Sequence, residues 1–476
     1  MKKYLIFMTM IMSFVEAKHN FVGRSFYSTA PITFVSSTSK YAKGDSKGAI
    51  EVSVSYIASY DSQSIRSYFS PFDKEKLTVK ENMTNLNPLV DQGSQDILSY
   101  NFNLVTKDGN FESTIEFSPI KKIWSSNVVL YRQLKNNWWI AGTIPFMHME
   151  TDMRLVEKIV EGGGGASHDL TNFNIGGNYQ VGTMKEAFAS RNMKYGRIDG
   201  KQKKTDFSDC VLKIGREYRD NAQGHIRPFM GVVIPSSNKP TAEYMFEPVL
   251  GNGKHPGVLF GSEFGTQLAS RKRYTISCGG VMQMTYLFPR NQIRSFDPAG
   301  KPWGRYMAMV ANAQDMAQSR YSFGINECTK VTKSDPGIQY VSNLSFSIAR
   351  DNNCCKLGYQ TTVRVTGGLT VPVDWSVPGI ASLSTNEANT NPARGINNLL
   401  DGFKDTSYKG IEKNEVGLTS PSHPFYIAHQ LMASFITERE KNNKKYKMEC
   451  GGRVTFGRSN AVPHEWAVHL AIACCV

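Results

Sequence analysis

The sequence predicts an all-β chain, an antiparallel transmembrane β-barrel of about 12–16 strands with long external loops. Three observations predict this fold. The chain begins with an export signal, segments with alternating large apolar side chains recur along it, and it ends inside such a segment. Because successive side chains of a β-strand point to opposite faces, each of these segments has one apolar face.

The N-terminus has the anatomy of a secretory signal peptide. Lys2 and Lys3 precede an apolar run from Tyr4 to Val15, and Ala17 provides the small residue of a cleavage site. The run is too short to cross a bilayer as a helix, and no cysteine follows it to carry a lipid anchor. We therefore expect residues 1–17 to be a signal peptide, residues 18–48 an N-terminal segment, and residues 49–476 a barrel domain.

Composition restricts how the mature chain could enter a membrane. No later run of about eighteen apolar residues occurs, which excludes membrane-spanning helices. The mean hydropathy of -0.35 is in agreement. A barrel strand, however, needs only about ten residues with one apolar face, so the average hides it. The 26 Phe, 21 Tyr and 40 Gly suit strands and their turns.

The last two segments carry the clearest alternation. Residues 446–456 place apolar and aromatic side chains on one face and charges on the other, and residues 466–476 repeat the apolar period to the chain end. A helix is the alternative for the last segment, because Trp466 and Leu470 are four apart and Pro463 could begin it. The lipid-facing candidates are Tyr446, Met448, Val454, Phe456, Trp466, Val468, Leu470 and Ile472.

Earlier segments repeat the pattern. The alternation predicts strands at residues 50–60, 98–104, 212–219, 258–268, 274–288 and 344–348. Charged side chains on the face opposite the apolar one would line a lumen. A β-sandwich, with the apolar face turned towards a core, would show the same alternation. The pore-lining candidates are Lys213, Glu217, Lys447, Glu449 and Arg453.

Connection lengths also favour a barrel, in which short turns alternate with long external loops. Residues 367–424 and 312–339 are long connections, whereas residues 440–445 and the turn at Asp351 are short. Two tight hairpins, at residues 220–224 and 270–273, do not fit the alternation. Residues 302–320 are expected to be a surface loop; the alternative is a strand that continues as a helix and folds into the lumen as a constriction. The four glycines at residues 162–165 are expected to be a mobile loop tip.

Charge and motifs exclude several function classes. The net charge is +14, yet no basic block with interleaved aromatics indicates nucleic-acid binding. We expect attraction to anionic lipids or anionic solutes, and the alternative is an ordinary solvated basic surface. The eight cysteines form no C-x-x-C pair, and no histidine has a partner at metal-ligand spacing. No nucleophile elbow, zinc-protease motif or P-loop occurs. We expect no enzyme activity, no metal and no cofactor.

The chain resembles a known group of membrane proteins. The signal peptide, the alternating strands and the terminal strand resemble those of outer-membrane β-barrels of diderm bacteria. Residues 227–240 and 246–253 are similar to the strand and glycine-turn element of a porin-like transporter family associated with aromatic-compound degradation. The chain departs from that pattern at Ser236, where the turn glycine is expected, and at Val476, where such barrels usually end in Phe.

The resemblance implies a porin-like channel in the bacterial outer membrane for passive passage or uptake of small solutes, anionic ones included. The expected partners are outer-membrane lipids, those solutes and the barrel-assembly machinery, with no nucleic acid. The alternative is a β-sandwich adhesin or binding protein that is secreted or attached to the cell surface.

Overall fold

A computed structural model describes residues 48–70, 74–80, 97–102, 104, 111–161, 181–220, 224–271, 273–298, 303–306, 308–311, 320–365, 367–370, 375, 381–382, 409–410, 413, 416–418, 424–441, 444–457 and 462–475. The expected signal peptide and almost all of the expected N-terminal segment lie outside these residues, as does the four-glycine run.

Twelve antiparallel strands close into a barrel. Each strand pairs with its neighbours in sequence order, and the last strand pairs with the first from Ala49–Cys475 to Ser59–Glu465. The strands are β1 Gly48–Ser59, β2 Ile120–Gln133, β3 Trp138–Asp152, β4 Cys210–Arg216, β5 Gly224–Ile234, β6 Gly257–Arg271, β7 Tyr274–Leu287, β8 Ile338–Arg350, β9 Asn353–Arg364, β10 Tyr426–Lys441, β11 Lys444–Gly457 and β12 Glu465–Cys475.

Closure confirms the predicted fold and the predicted strand number, and it excludes the β-sandwich. In a closed sheet the two ends of the chain must pair with each other, because every edge strand needs a partner for its backbone groups. The final segment is therefore a strand and not a helix. Its outward residues Val468 and Leu470 lie opposite the outward residues Tyr56 and Val54 of β1.

Two short strands supplement the wall. Lys201–Phe207 pairs with the second half of β3, from Phe146 to Asp152, while β4 pairs with the first half. Tyr218–Asp220 continues the direction of β4 beside β5. Residues 201–220 thus fill a single position in the wall between β3 and β5.

The two ends of the barrel differ, and we call them the turn end and the loop end. The turn end carries both termini of the barrel and the connections 134–137, 217–223, 272–273, 351–352 and 442–443. The loop end carries the connections 60–119, 153–209, 235–256, 288–337, 365–425 and 458–464. The two tight hairpins that did not fit the alternation of short and long connections, at residues 220–224 and 270–273, both lie at the turn end. The longer connection 235–256 lies between them at the loop end, so short and long connections alternate along the whole barrel.

The long connections fold together into a cap over the loop end. Its helices are α1 Ser62–Phe69, α2 Met184–Ala189 and α3 Gly324–Glu327. Short sheets surround them: Ile97–Leu98, Lys76–Lys80, Glu112–Phe117 and Leu155–Glu161 form one, Arg290–Ser295, Thr329–Ser334 and Leu369–Thr370 another, and Arg320–Phe323, Ala308–Ala311, Ala381–Ser382 and Lys409–Gly410 a third, while Asp297–Pro298 pairs with Val416–Gly417.

The cap has a hydrophobic core that joins residues far apart in the chain. Phe69, Phe188 and Trp303 pack there with Tyr306, and the Trp303 indole N–H donates a hydrogen bond to the carbonyl oxygen of Phe69 at 2.7 Å. The core continues into the barrel mouth through Tyr426 on β10. Five of the six connections thus contribute to one core, and the sixth, residues 365–425, places Trp375 and Val416 in a separate small cluster with Phe296 and Cys328.

Two expectations about the connections were wrong. Residues 98–104 do not form a barrel strand; a 3₁₀ turn, Ser99–Phe102, follows the two-residue strand Ile97–Leu98, and Phe102 and Leu104 are both buried in the cap. Within residues 302–320, the described Trp303 and Tyr306 are buried in the cap and do not lie in a surface loop. At residues 98–104 the alternating pattern predicted a barrel strand, and at residues 302–320 the composition predicted a loop. In both places burial of apolar side chains in the cap determines the local structure instead.

Among the helices of the described residues, none is long and apolar enough to cross a membrane.

Candidate functional site: the lumen and the lipid-facing wall

The outer face of the barrel is apolar along its whole middle section. All eight lipid-facing candidates point outward; Leu470 is 59% exposed and Ile472 57%. The opposite walls are similar, with Met230, Leu357 and Ile348 each more than half exposed. In water such a continuous apolar surface would drive aggregation, since soluble monomers rarely expose patches of more than a few hundred Å².

Aromatic side chains border this belt at both ends. Near the loop end, Tyr56 stacks against Trp124 with ring centroids 4.4 Å apart and against Trp466 at 5.5 Å. Further round, the Tyr359 hydroxyl lies 2.6 Å from His429 Nδ1. At the turn end the outward aromatics are Trp138, Tyr218, Tyr274 and Tyr446. Two aromatic girdles around an apolar band are the signature of a barrel that spans a membrane.

The architecture therefore defines an outer-membrane β-barrel. Only helices and closed barrels satisfy all backbone hydrogen bonds in lipid, and here the barrel is closed. The even strand number and the short turns beside both termini are those of single-chain bacterial barrels. The chain resides in the bacterial outer membrane, as the sequence predicted.

The inner face carries a buried ionic cluster at the turn end. The Arg227 guanidinium lies between two carboxylates, with Nε 3.4 Å from Glu217 Oε2 and Nη1 3.5 Å from Glu263 Oε2. Its Nη2 donates a hydrogen bond to the Tyr131 hydroxyl at 2.8 Å. The guanidinium carbon also lies 4.7 Å from the Trp139 ring centroid, a cation–π distance. These five inward side chains narrow the lumen from one side.

Glycines make room for the large inward side chains. A Cβ on Gly215 of β4 would lie 2.5 Å from the Trp139 ring, and one on Gly261 of β6 would lie 2.5 Å from the Phe229 ring. Each aromatic ring therefore lies flat over the glycine of a neighbouring strand, as is usual where a curved sheet needs both close approach and cover. This geometry holds Trp139 against Arg227.

Lys213 extends into the lumen beside this cluster. Its Nζ donates a hydrogen bond to Gln283 Oε1 at 3.0 Å and lies 4.6 Å from the Phe229 ring centroid. Lys213 and Gln283 point inward yet are only half-buried. An inward side chain with solvent access requires space for water inside the barrel.

The wall formed by β10, β11 and β12 is more polar. His469 Nε2 lies 3.4 Å from Glu449 Oε1, and Lys447 Nζ lies 2.9 Å from Glu438 Oε1 at the turn-end rim. Arg453 is half-buried, with Nη1 3.5 Å from Gln430 Oε1. Ser53, Ser55, Ser125 and Asn127 continue the polar lining across β1 and β2.

At the loop end the cap closes over further buried charges. Lys121 and Glu465 form an ion pair across β2 and β12. In the cap, burial and the neighbouring Arg364 lower the pKa of Arg294 to about 9, although Glu247 and Tyr68 act in the opposite direction. Burial lowers the pKa of His255 to about 4, and its Nδ1 lies 2.9 Å from the Phe288 carbonyl oxygen. The mouth under the cap is therefore polar and enclosed, with buried groups of both charges.

All five pore-lining candidates project inward, but they do not form one site. Lys213 and Glu217 belong to one wall, and Lys447, Glu449 and Arg453 to the nearly opposite wall. Sequence reasoning missed Arg227 and Glu263 as lumen residues. Both lie at alternate positions to outward apolar residues, Met230 and Phe264 among their neighbours, so the same period-two rule could have found them.

No chemistry beyond this lining is evident in the described part of the chain. No group of three or more His, Cys, Asp or Glu side chains there is placed to hold a metal ion. Cys210, Cys278, Cys328, Cys354, Cys355, Cys450, Cys474 and Cys475 are free thiols. Cys450 and Cys474 both point outward, Cys450 opposite Leu470 and Cys474 opposite Tyr446, whereas Cys475 points inward.

No protein-family model matches this sequence, and no curated protein does. Among solved structures, the chain is similar to an outer-membrane channel from Pseudomonas putida F1, with 9% identity, coverage of 90% of this chain and 97% of that one, and a TM-score of 0.37. The chain is also similar to the β-domain of the Bordetella autotransporter BrkA, with 6% identity, coverage of 91% of this chain and 100% of that one, and a TM-score of 0.33. For the Pseudomonas putida toluene transporter TodX, the identity is 7%, the coverage is 96% of this chain and 97% of that one, and the TM-score is 0.27.

Proposed function

We propose that the chain is an outer-membrane channel for small polar solutes that diffuse through a wet lumen beneath the cap. The observation that carries this proposal is the solvent access of inward-facing charged side chains in a closed barrel. Lys213, Lys356 and Arg453 all point inward, and all are only half-buried. A filled barrel would bury such side chains completely or replace them with apolar ones.

The lining supports a preference for anions. The inward carboxylates Glu51, Glu217, Glu263, Glu449 and Glu465 are buried, three of them in ion pairs with Arg227 or Lys121. The inward charges that retain contact with lumen water are mainly cations. Fixed positive charge in a low-dielectric passage attracts anions and repels cations, which sets selectivity in narrow pores.

Conductance tests the proposal directly. The full-length protein, checked for heat-modifiable migration in a gel, is inserted into planar lipid bilayers with a salt gradient. We expect ion conductance with a reversal potential on the anion-selective side. A barrel that inserts and folds but never conducts ions would contradict the proposal.

The variant Arg453→Glu locates the selectivity in the lumen. We expect the reversal potential to move towards cation selectivity, because the replaced charge touches the conducted water. Lys122→Glu is the matched control; it makes the same charge change on the outer face of β2, where Lys122 is exposed. Equal effects of the two variants would mean that Arg453 does not line the path.

A further inference from the structure

The outer surface at the turn end carries a ring of arginines. Five strands run down to a turn, namely β2, β4, β6, β8 and β10, and each has one outward arginine within its last three residues. All five side chains are exposed. We call this set the arginine ring, and it consists of Arg132, Arg216, Arg271, Arg350 and Arg439.

Three ring residues directly follow a large apolar residue of the belt on the same face. Arg132 comes two residues after Leu130, Arg216 two after Ile214, and Arg350 two after Ile348, and all three apolar residues are exposed on the outer wall. On β6 the bulge between Gln267 and Ala269 turns Arg271 outward. The ring therefore marks the boundary at which the belt ends.

Aromatic neighbours locate the same boundary independently. Arg216 lies directly opposite Trp138, Arg271 opposite Tyr274, and Arg439 opposite Tyr446. Tryptophan and tyrosine at such positions sit at the level of lipid headgroups. Long cationic side chains there extend their stems along apolar surface and place their charge at the interface.

The ring has little compensating charge. Among the described residues only Arg350 has an ion pair, with Nε 3.8 Å from Asp351 Oδ2, and both side chains are more than two-thirds exposed. Arg216 lies 5.3 Å from the Tyr218 ring centroid. Exposed pairs of this kind contribute little, so the guanidinium groups are available to an external anion.

We propose that the arginine ring binds the phosphate groups of anionic glycerophospholipids in the leaflet at the turn end, which is the periplasmic leaflet in barrels of this class. The ring faces sideways into the headgroup layer and not along the barrel axis, which fits a lipid better than a soluble anion. A guanidinium presents a planar fork of donors that matches phosphate oxygens. Five such sites would surround the barrel with preferred lipids.

Native mass spectrometry of the full-length protein in non-ionic detergent tests the proposal. The protein receives equal amounts of phosphatidylglycerol and phosphatidylethanolamine of identical chain length, and the ratio of bound lipids is measured. We expect phosphatidylglycerol to be bound preferentially, and the preference at each site to fall about fivefold when its arginine becomes glutamine. Variants carry all five Arg→Gln changes, or only Arg350→Gln with Arg439→Gln, in case the full set fails to fold.

Two control sets complete the test. One removes five exposed lysines of the cap, and we expect it to keep the parent ratio; its substitutions are Lys76→Gln, Lys158→Gln, Lys185→Gln, Lys239→Gln and Lys333→Gln. The other replaces the ring arginines by lysine and should keep most of the preference. An unchanged ratio in the Arg→Gln sets overturns the proposal. So does an equal loss in the cap set, or a lysine set that loses as much as the glutamine set.

Discussion

The substitution Arg227→Leu tests the buried cluster at the turn end of the lumen. Arg227 and Glu263 have no exposed surface, and Glu217 is 5% exposed. Leucine removes the guanidinium that lies between the two buried carboxylates. Breaking a buried ion pair by removing one partner costs about 3–5 kcal/mol, and loss of the Trp139 contact adds up to about 2 kcal/mol. We expect the free energy of unfolding to fall by about 4 kcal/mol.

Urea titration of the barrel folded in phospholipid vesicles measures this loss, with tryptophan fluorescence and unheated gel migration as two probes of unfolding. When Glu217→Gln and Glu263→Gln are added to Arg227→Leu, the triple variant should recover most of the loss, because no uncompensated charge stays buried. Lys76→Leu is the control, since its exposed pair with Glu116 in the cap contributes about 1 kcal/mol or less. A loss below about 1 kcal/mol for Arg227→Leu, or a triple variant no more stable than the single one, would refute the reasoning.

Gly215→Ala should destabilise the barrel by about 1–3 kcal/mol, because its methyl group would overlap the Trp139 ring, whereas Gly224→Ala, with no contact closer than 3.6 Å, should be nearly neutral in the same titration. Leu470→Arg should reduce stability in vesicles by about 2–4 kcal/mol, because it places a charge in the middle of the lipid-facing belt. Leu418→Arg, on an exposed residue of the cap, should leave stability unchanged and distinguishes lipid contact from general loss of apolar surface. Acidification should loosen the cap, because the pKa of His255 is lower in the folded protein than in the unfolded chain. The contribution of neutral His255 to stability is therefore complete above about pH 6.5 and is lost as the pH falls towards 4. Limited proteolysis should be faster at pH 5 than at pH 7.5, by an amount that corresponds to about 2 kcal/mol, and His255→Gln should reduce the difference; equal rates in the parent at both pH values would contradict the assignment.

The outward face was predictable residue by residue. On β12 and β11 the apolar period of two matches the belt at every candidate from Tyr446 to Ile472, because lipid contact imposes one simple requirement on each position. The last segment was also predicted to be a strand, and its pairing with β1 confirms this. The same rule failed at residues 98–104, where alternation occurs in a segment that is buried in the cap.

The inward face was only partly predictable. The period of two indicates that Lys213 or Glu449 points away from lipid, but it contains no information on partners across the lumen. Glu263 meets Arg227 because β5 and β6 pair in that register, and Tyr131 reaches the same guanidinium from β2. Such contacts depend on strand tilt and closure, which are properties of the whole barrel and not of any one segment.

The sequence by itself determined that this chain is a membrane-spanning barrel, since each strand carries its own apolar face and each tight turn its own turn residues. The tertiary structure alone decided that twelve strands close the ring, that Arg227 is held between Glu217 and Glu263, and that five distant connections share one core in the cap. The physical reason is the range of the interactions involved. Contact with lipid acts on each residue separately, whereas closure, ion pairing and cap packing join residues that are hundreds of positions apart.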